Sequence, residues 1–341
     1  MRVLVTGGTG FVGAHAVAAV LGRGHAVRLL VRSPDRIRKA LEPLGVGEVE
    51  HAVGDITDAA SVESAARGCD AAIHAGAVYS LDRRDARKMQ ETNVRGTEMV
   101  LGTATRMGLD PVVHVSSVVA LFPPEGRTLT PDSPVKQPEG VYARSKADSE
   151  RIARGLQERG APVTIVYPGG VWGPYDPYYG EVPKLVANIL RGRMSMVPAG
   201  GVTVVDVRDL ARVFAGVMEP GHGPRRYLAA GETLSLVEVV RQVGEITGRP
   251  LKARALPAGL LLTMGRINDL VQRILPFRLP AGFEGIYLAV QNPVCDNSRT
   301  WSELGITPRP VGETIRDTLV WLKGDGYLSA KEVGRLAEAS R

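Results

Sequence analysis

The sequence predicts an α/β fold: a doubly wound parallel sheet followed by a smaller C-terminal lobe. Three observations point there. Short apolar runs alternate with helical stretches up to about residue 168, a glycine-rich turn follows the first run, and beyond residue 168 the alternation fails. Alternating strands and helices bury both faces of a sheet only when the strands are mostly parallel and the crossovers right-handed.

The runs, taken in order, are "RVLVT" (2–6), "HAVRLLV" (25–31), "VEHAV" (49–53), "DAAIHA" (70–75), "PVVHVSS" (111–117) and "PVTIVY" (162–167). Their Val and Ile content and short length mark them as buried strands. Helical periodicity falls between them at 11–23, 58–68, 84–107 and 141–159. After them "PGGVWGPYDPYYGEVP" breaks the rhythm. We therefore expect a nucleotide-binding domain over 1–170 with a return segment near 203–230, and a substrate lobe over 171–202 and 231–330. Segments 172–206 and 255–290 are expected to shape its pocket. Tyr167, Trp172, Tyr175, Tyr178 and Tyr179 cluster in or beside the irregular stretch, which suits either a substrate wall or packing between lobes.

The first strand runs directly into "VTGGTGFVG". Gly10 and Gly13 combine with Gly7 or Gly8, and Thr9, Phe11 and Val12 complete the turn and open the helix. Glycines let the backbone approach a pyrophosphate, and the helix start offers unpaired N–H groups and about half a positive charge. A strand, this turn and a helix form the Rossmann dinucleotide arrangement. The second strand ends "LLVRSPD", placing Arg32 where an NAD site usually has an acid. A guanidinium there suits the 2′-phosphate of NADP(H). Asp35 leaves NAD(H) possible.

Tyr142 and Lys146 stand four apart in "GVYARSKADSE", on one face of a helix. A tyrosine that moves a proton at a carbonyl oxygen needs its pKa lowered from about 10. An ammonium about 4 Å away at an effective dielectric near 20 supplies about 4 kcal/mol, or roughly three units. Lys146 is expected to do this. Ser117 ends a strand at the edge where open α/β sheets hold ligands, within reach of a substrate oxygen.

Other functions are less well supported. The net charge of +6 arises from scattered Lys and Arg, so we expect no nucleic-acid partner. The longest apolar stretch, 255–265, is short of the roughly 20 residues of a membrane span. Neither Cys69 and Cys295 nor the six histidines show ligand spacing, so no metal site is expected. Met1 leads directly into a strand with no signal segment, which suggests the cytoplasm.

In order along the chain, "TGGTGFVG", "GDITD", "HAGA", "NVRGT", "VSS", "YARSK", "YPGGVWGP" and "VDVRDLA", with a later "CDNSRTWSELGITPRP", resemble the extended short-chain dehydrogenases/reductases, the NAD-dependent epimerase/dehydratase family. The resemblance implies a catalytic Ser117, Tyr142 and Lys146 supported by Asn93, with Tyr142 and Lys146 also meeting the cofactor. It implies adenine contacts at Asp55 and Ile56, cofactor-lining Ala75, Gly76 and Ala77, and Pro168 and Val171 beside the nicotinamide. Family members commonly dimerise through two helices next to the active-site helix, so a homodimer is possible.

Departures narrow the branch. Val118 and Val119 follow Ser117 where sugar dehydratases carry an acid, Gly170 stands where epimerases commonly have Asn, and no Arg precedes "VTVVDV". "LLVRSP" and "VDVRDLA" are instead similar to the dihydroflavonol-4-reductase-like branch. That implies NADP-dependent hydride transfer involving a small, largely apolar carbonyl or alcohol. Two alternatives stay open: an NAD-dependent sugar or sterol-type epimerase or dehydrogenase, and a non-catalytic NADPH-binding sensor.

Overall fold

The computed structural model describes residues 1–81, 83–271 and 282–337. Part of the 255–290 segment, residues 272–281, therefore lies outside the described residues.

The first half builds the sheet. Strand β1 (Arg2–Thr6), helix α1 (Phe11–Gly22), β2 (Ala26–Val31), α2 (Asp35–Leu41), β3 (Glu50–Val53), α3 (Ala59–Ala66) and β4 (Ala71–His74) come first. Then follow α4 (Ala86–Met89), α5 (Gly96–Arg106), β5 (Val112–Val115), α6 (Val141–Glu158) and β6 (Val163–Pro168). The single helix expected over 84–107 is instead three pieces. A π-helical turn at Gln90–Arg95 separates α4 from α5, and such widened turns often mark functional sites.

The second half is mixed. It contains β7 (Val171–Trp172), α7 (Glu181–Leu190), β8 (Met196–Pro198), β9 (Gly201–Asp206), α8 (Val207–Gly216), β10 (Arg225–Ala229), β11 (Glu232–Ser235) and α9 (Leu236–Thr247). After these come β12 (Arg254–Leu256), α10 (Ala258–Val271), α11 (Phe283–Val290), α12 (Ser298–Glu303), α13 (Val311–Gly324) and α14 (Ala330–Val333).

Seven strands pair in the order β10-β6-β5-β4-β1-β2-β3, all parallel. Side chains alternate between faces. Val3, Val5, Leu29, Val31, Ile73 and Val113 pack toward α1, α2 and α8. Leu4, Leu30, Ala72, Val112 and Ile165 pack toward α3, α5 and α6. Each strand thus reads as continuously apolar because it is covered twice. A third core gathers Trp172, Val186, Val239, Ile315 and Leu322 from β7, α7, α9 and α13.

The chain winds outward from β1 to β3, returns to β4 and then continues the other way. The crevice between the carboxyl ends of β1 and β4 is therefore the switch point, where such sheets bind ligands.

The expected tyrosine wall is divided. Tyr167 and Trp172 are fully buried, Tyr179 stacks on Tyr327 at 4.4 Å, and Tyr178 lies under Lys39 at 5.4 Å and Arg36 at 5.9 Å. Packing claims most of these rings. "VDVRDLA" is likewise structural: Asp206 caps α8, pairs with Arg208 and accepts from Thr314 of α13, while buried Asp209 holds Arg309.

Candidate active site

Local chemistry explains why the glycine turn forms. Gly7 has φ +73°, and a Cβ on it would lie 2.5 Å from Gly76 N and 2.6 Å from Ala75 C. A Cβ on Gly13 would meet Gly7 O at 2.2 Å. The turn is therefore pressed against the end of β4, leaving Thr9, Gly10, Phe11 and Val12 partly exposed along the crevice. Helices α3 and α9 begin with capping side chains, Asp58 and Ser235. Helix α1 begins at Gly10 with no side-chain cap and no acid in its first turn. Its start and the bare backbone cradle fit a diphosphate. Gly13→Ala should destabilise the protein by about 1–3 kcal/mol through this backbone clash and weaken dinucleotide binding at least about tenfold; urea unfolding and fluorescence titration check both.

From the glycine turn a chain of contacts leads to the tyrosine helix. Ile56 fits between the glycine surfaces of Gly76 and Gly96. Beyond Ala77, Asn93 brackets Val78, accepting from its N–H at 2.7 Å and donating to its carbonyl at 3.0 Å. Asn93 Nδ2 also donates to Ser145 Oγ at 3.0 Å, and Ser145 Oγ to the Tyr142 carbonyl at 2.8 Å. The π turn is what aims Asn93 at both. Tyr79, on the same loop, sets its ring on Tyr142 edge to face at 4.6 Å.

The Ser117 hydroxyl is close enough to the Tyr142 phenol to lower its pKa, and it accepts from Val119 N at 3.4 Å, capping the turn after β5. Lys146 is 7% exposed and donates to the Val115 carbonyl at 3.1 Å. Burial brings its amine down to about 8, against the pull of Glu150. This corrects the electrostatic expectation. Burial drives the Tyr142 phenol above its ordinary range, Ser117 opposes that shift and the charge of Glu284 adds to it. Lys146 points at a strand carbonyl and is not among the groups that set the phenol.

Behind these residues, Glu150 is fully buried one turn beyond Lys146. It accepts from Ser116 at 2.7 Å, Tyr167 at 2.5 Å and Arg154 at 2.7 Å. Tyr142, Lys146, Glu150 and Arg154 thus form a column at four-residue spacing.

At the other end of the crevice, Arg32 is exposed after β2 and its charge acts on Asp55. Burial pushes that carboxyl up, but the Thr57 N–H and hydroxyl, with Arg32, hold it below its usual range. Pro168 ends β6, and Val171 opens β7 opposite Val205. Among the described residues, no cluster of three His, Cys, Asp or Glu could hold a metal, and no helix is long and apolar enough to cross a membrane.

Three contributors escaped the sequence reading. Glu150 had a signal, its spacing from Lys146. Tyr79 had only its place after "HAGA". Glu284 had none, being 143 residues from the backbone it meets.

The profile of the NAD dependent epimerase/dehydratase family matches residues 3–230. A Methylococcus capsulatus protein, "Sterol demethylase protein B", is 32% identical over 96% of this chain and 100% of its own length. A Synechocystis protein named provisionally as a dihydroflavonol 4-reductase is 29% identical over 96% of both chains. Among solved structures, that of gox2253 superposes with a TM-score of 0.78 and 28% identity, covering 96% of this chain and 99% of its own.

Proposed function

The chain belongs to the NAD-dependent epimerase/dehydratase family and is an NAD(P)-dependent enzyme of the extended short-chain dehydrogenase/reductase type; from this we propose that it is an NADP-dependent reductase of small, largely apolar carbonyl compounds. The observation that carries the reading is the placement of Ser117, just beyond β5, and Tyr142, in the first turn of α6, at the carboxyl edge of the sheet, with burial holding the phenol protonated. A protonated phenol can donate to a carbonyl oxygen. In this reading Ser117 holds that oxygen, Tyr142 delivers the proton and Asn93 fixes the helix.

The nicotinamide cofactor, when bound, supplies or accepts the hydride. Gly7, Thr9, Gly10, Phe11, Val12 and Gly13 would hold its diphosphate, with Ala75, Gly76 and Ala77 along the same crevice. Asp55 and Ile56 would meet the adenine, Lys146 and Tyr142 the nicotinamide ribose, and Pro168 and Val171 the ring. Arg32 would take the 2′-phosphate, supported by the further cations Arg36 and Lys39 on α2.

Two observations favour this branch over the epimerases. A Cβ on Gly170 would lie 2.3 Å from Thr203 O, so an Asn at that position cannot be seated without moving β9. The relatives named for sterol demethylation and dihydroflavonol reduction also point to apolar substrates. We place substrate selection in the lobe of 171–202 and 231–330, where α10 exposes Leu260, Met264, Ile267 and Leu270.

Fluorescence titration with NADPH and NADH tests the cofactor assignment. NADPH should bind at least about tenfold tighter, and Arg32→Ala should erase the preference, a change of about 1.4 kcal/mol at the 2′-phosphate. Tighter NADH binding, or purification with bound NAD, would overturn it in favour of the epimerase reading.

A further inference from the structure

Helix α6 carries Tyr142 in its first turn, yet it begins at Gly140 with no side-chain cap and no acid in that turn. Buried amides at a helix start need partners from somewhere. They find one in Glu284, which lies in the first turn of α11 and is 2% exposed. Its Oε2 accepts from Val141 N at 2.5 Å and its Oε1 from Ala143 N at 3.3 Å. Gly140 is what admits the carboxylate, since a Cβ there would lie 2.3 Å from Glu284 Oε1. One carboxylate therefore serves the positive ends of two helices, α6 and its own α11.

Further contacts tie the C-terminal side of this joint. Helices α10 and α11 pack closely, since a Cβ on Gly265 would lie 3.0 Å from Phe283 Cα. Phe283 N donates to Asp269 of α10 at 3.2 Å, and Arg266 of α10 reaches Glu139, just before α6, at 2.8 Å.

We propose that Glu284 is a positioning residue of the reductase: it pins the first turn of α6 to the α10–α11 unit, so that the lobe proposed to select substrate and the helix that delivers the proton are held as one body. This rests on the function proposed above. A second consequence follows from the charge. The Glu284 carboxylate is fixed close enough to Tyr142 to oppose phenolate formation. Among the described residues, the other ionisable groups around it include Glu139 and Arg144 beside the α6 start, Arg266 and Asp269 of α10, Tyr287 of α11 and Tyr79 of the loop. Glu139 and Arg266 are paired with each other. Burial pushes the Glu284 carboxyl above its usual range, the Ala143, Val141 and Tyr142 N–H groups and the Arg144 guanidinium pull it back, and the charge of Glu284 in turn raises the phenol.

The test uses the full chain with Glu284→Gln and Glu284→Ala, NADP(H) and a reducible carbonyl with its alcohol. With the negative charge removed in Glu284→Gln, the tyrosine limb of the pH–rate profile should move about one unit to lower pH in both directions of the reaction. In Glu284→Ala the amides of Val141 and Ala143 should exchange hydrogen at least about tenfold faster, and kcat should fall more than KM rises. A residue that only adds stability would leave the limb in place. An unmoved limb in Glu284→Gln, whatever kcat does, overturns the proposal. If the unmodified protein reduces no carbonyl with NADPH, it is the functional reading that fails. Amide exchange then decides the Glu284 assignment alone, and unchanged exchange in Glu284→Ala overturns it.

Discussion

Tyr142→Phe should lower kcat for carbonyl reduction by about a thousandfold, with NADPH affinity unchanged within about twofold. A positioned general acid contributes about 10²–10⁴ in rate, roughly 3–5 kcal/mol of barrier. Only the hydroxyl is removed. The ring keeps its edge contact with Tyr79 and its packing on the core beside α6, so the site should keep its shape. The raised phenol pKa makes the assignment directional: burial and Glu284 keep the proton on Tyr142 at neutral pH, which equips it to give the proton away. Steady-state NADPH oxidation and a fluorescence titration read the two quantities separately. Retained turnover would show that the proton comes from another group, and lost NADPH binding would show that the phenol carries the cofactor's affinity as well.

Glu150→Leu should cost about 3–5 kcal/mol of stability, the usual consequence of breaking a buried ion pair from one side. The side chain of Arg154 is 13% exposed and would lose its carboxylate, while Ser116 and Tyr167 would lose their acceptor. The change also reaches Lys146. Its amine already sits at about 8 because burial disfavours the ammonium, and Glu150 is the group that opposes this. The native pKa lies below that of the unfolded chain. The burial penalty is therefore fully present below pH 8 and fades as the pH rises toward the ordinary lysine value of about 10.4. Without Glu150 the amine titrates lower still, so activity should fall off at lower pH than in the unmodified protein. Urea unfolding measures the first effect and a pH–rate profile the second. A loss below about 1 kcal/mol would mean that Arg154 reaches solvent or another acceptor.

What was legible in the sequence was local. The glycine turn, the four-residue spacing of Tyr142 and Lys146, and the strand ending near Ser117 each express one element's own geometry, and the apolar runs recur as β1 to β6 within a residue or two. What escaped depended on distant partners. The π turn at Gln90–Arg95 breaks an otherwise helical pattern because Asn93 must reach Val78 and Ser145 together. The tyrosines of 167–179 read as one cluster but belong to separate contacts with α6, α2 and Tyr327. Tyr142 was expected to feel Lys146, its neighbour on the helix, and instead feels Glu284 from across the chain. Charge effects follow distance in space, and sequence spacing reports distance only within an element.

The sheet has a topological consequence for anyone wishing to take the protein apart. Its outermost strand, β10, is reached only after the chain has left for the C-terminal lobe and come back, and it pairs with β6 from Thr164 to Pro168. No contiguous stretch of polypeptide therefore corresponds to the nucleotide-binding half. A fragment ending at residue 170 would leave β6, buried along its whole length, as an open apolar edge, the kind of surface that recruits other chains into aggregates. Efforts to graft a new specificity lobe must work as insertions between fixed points of the sheet, since exchanging one terminal segment for another would carry part of the sheet away with it.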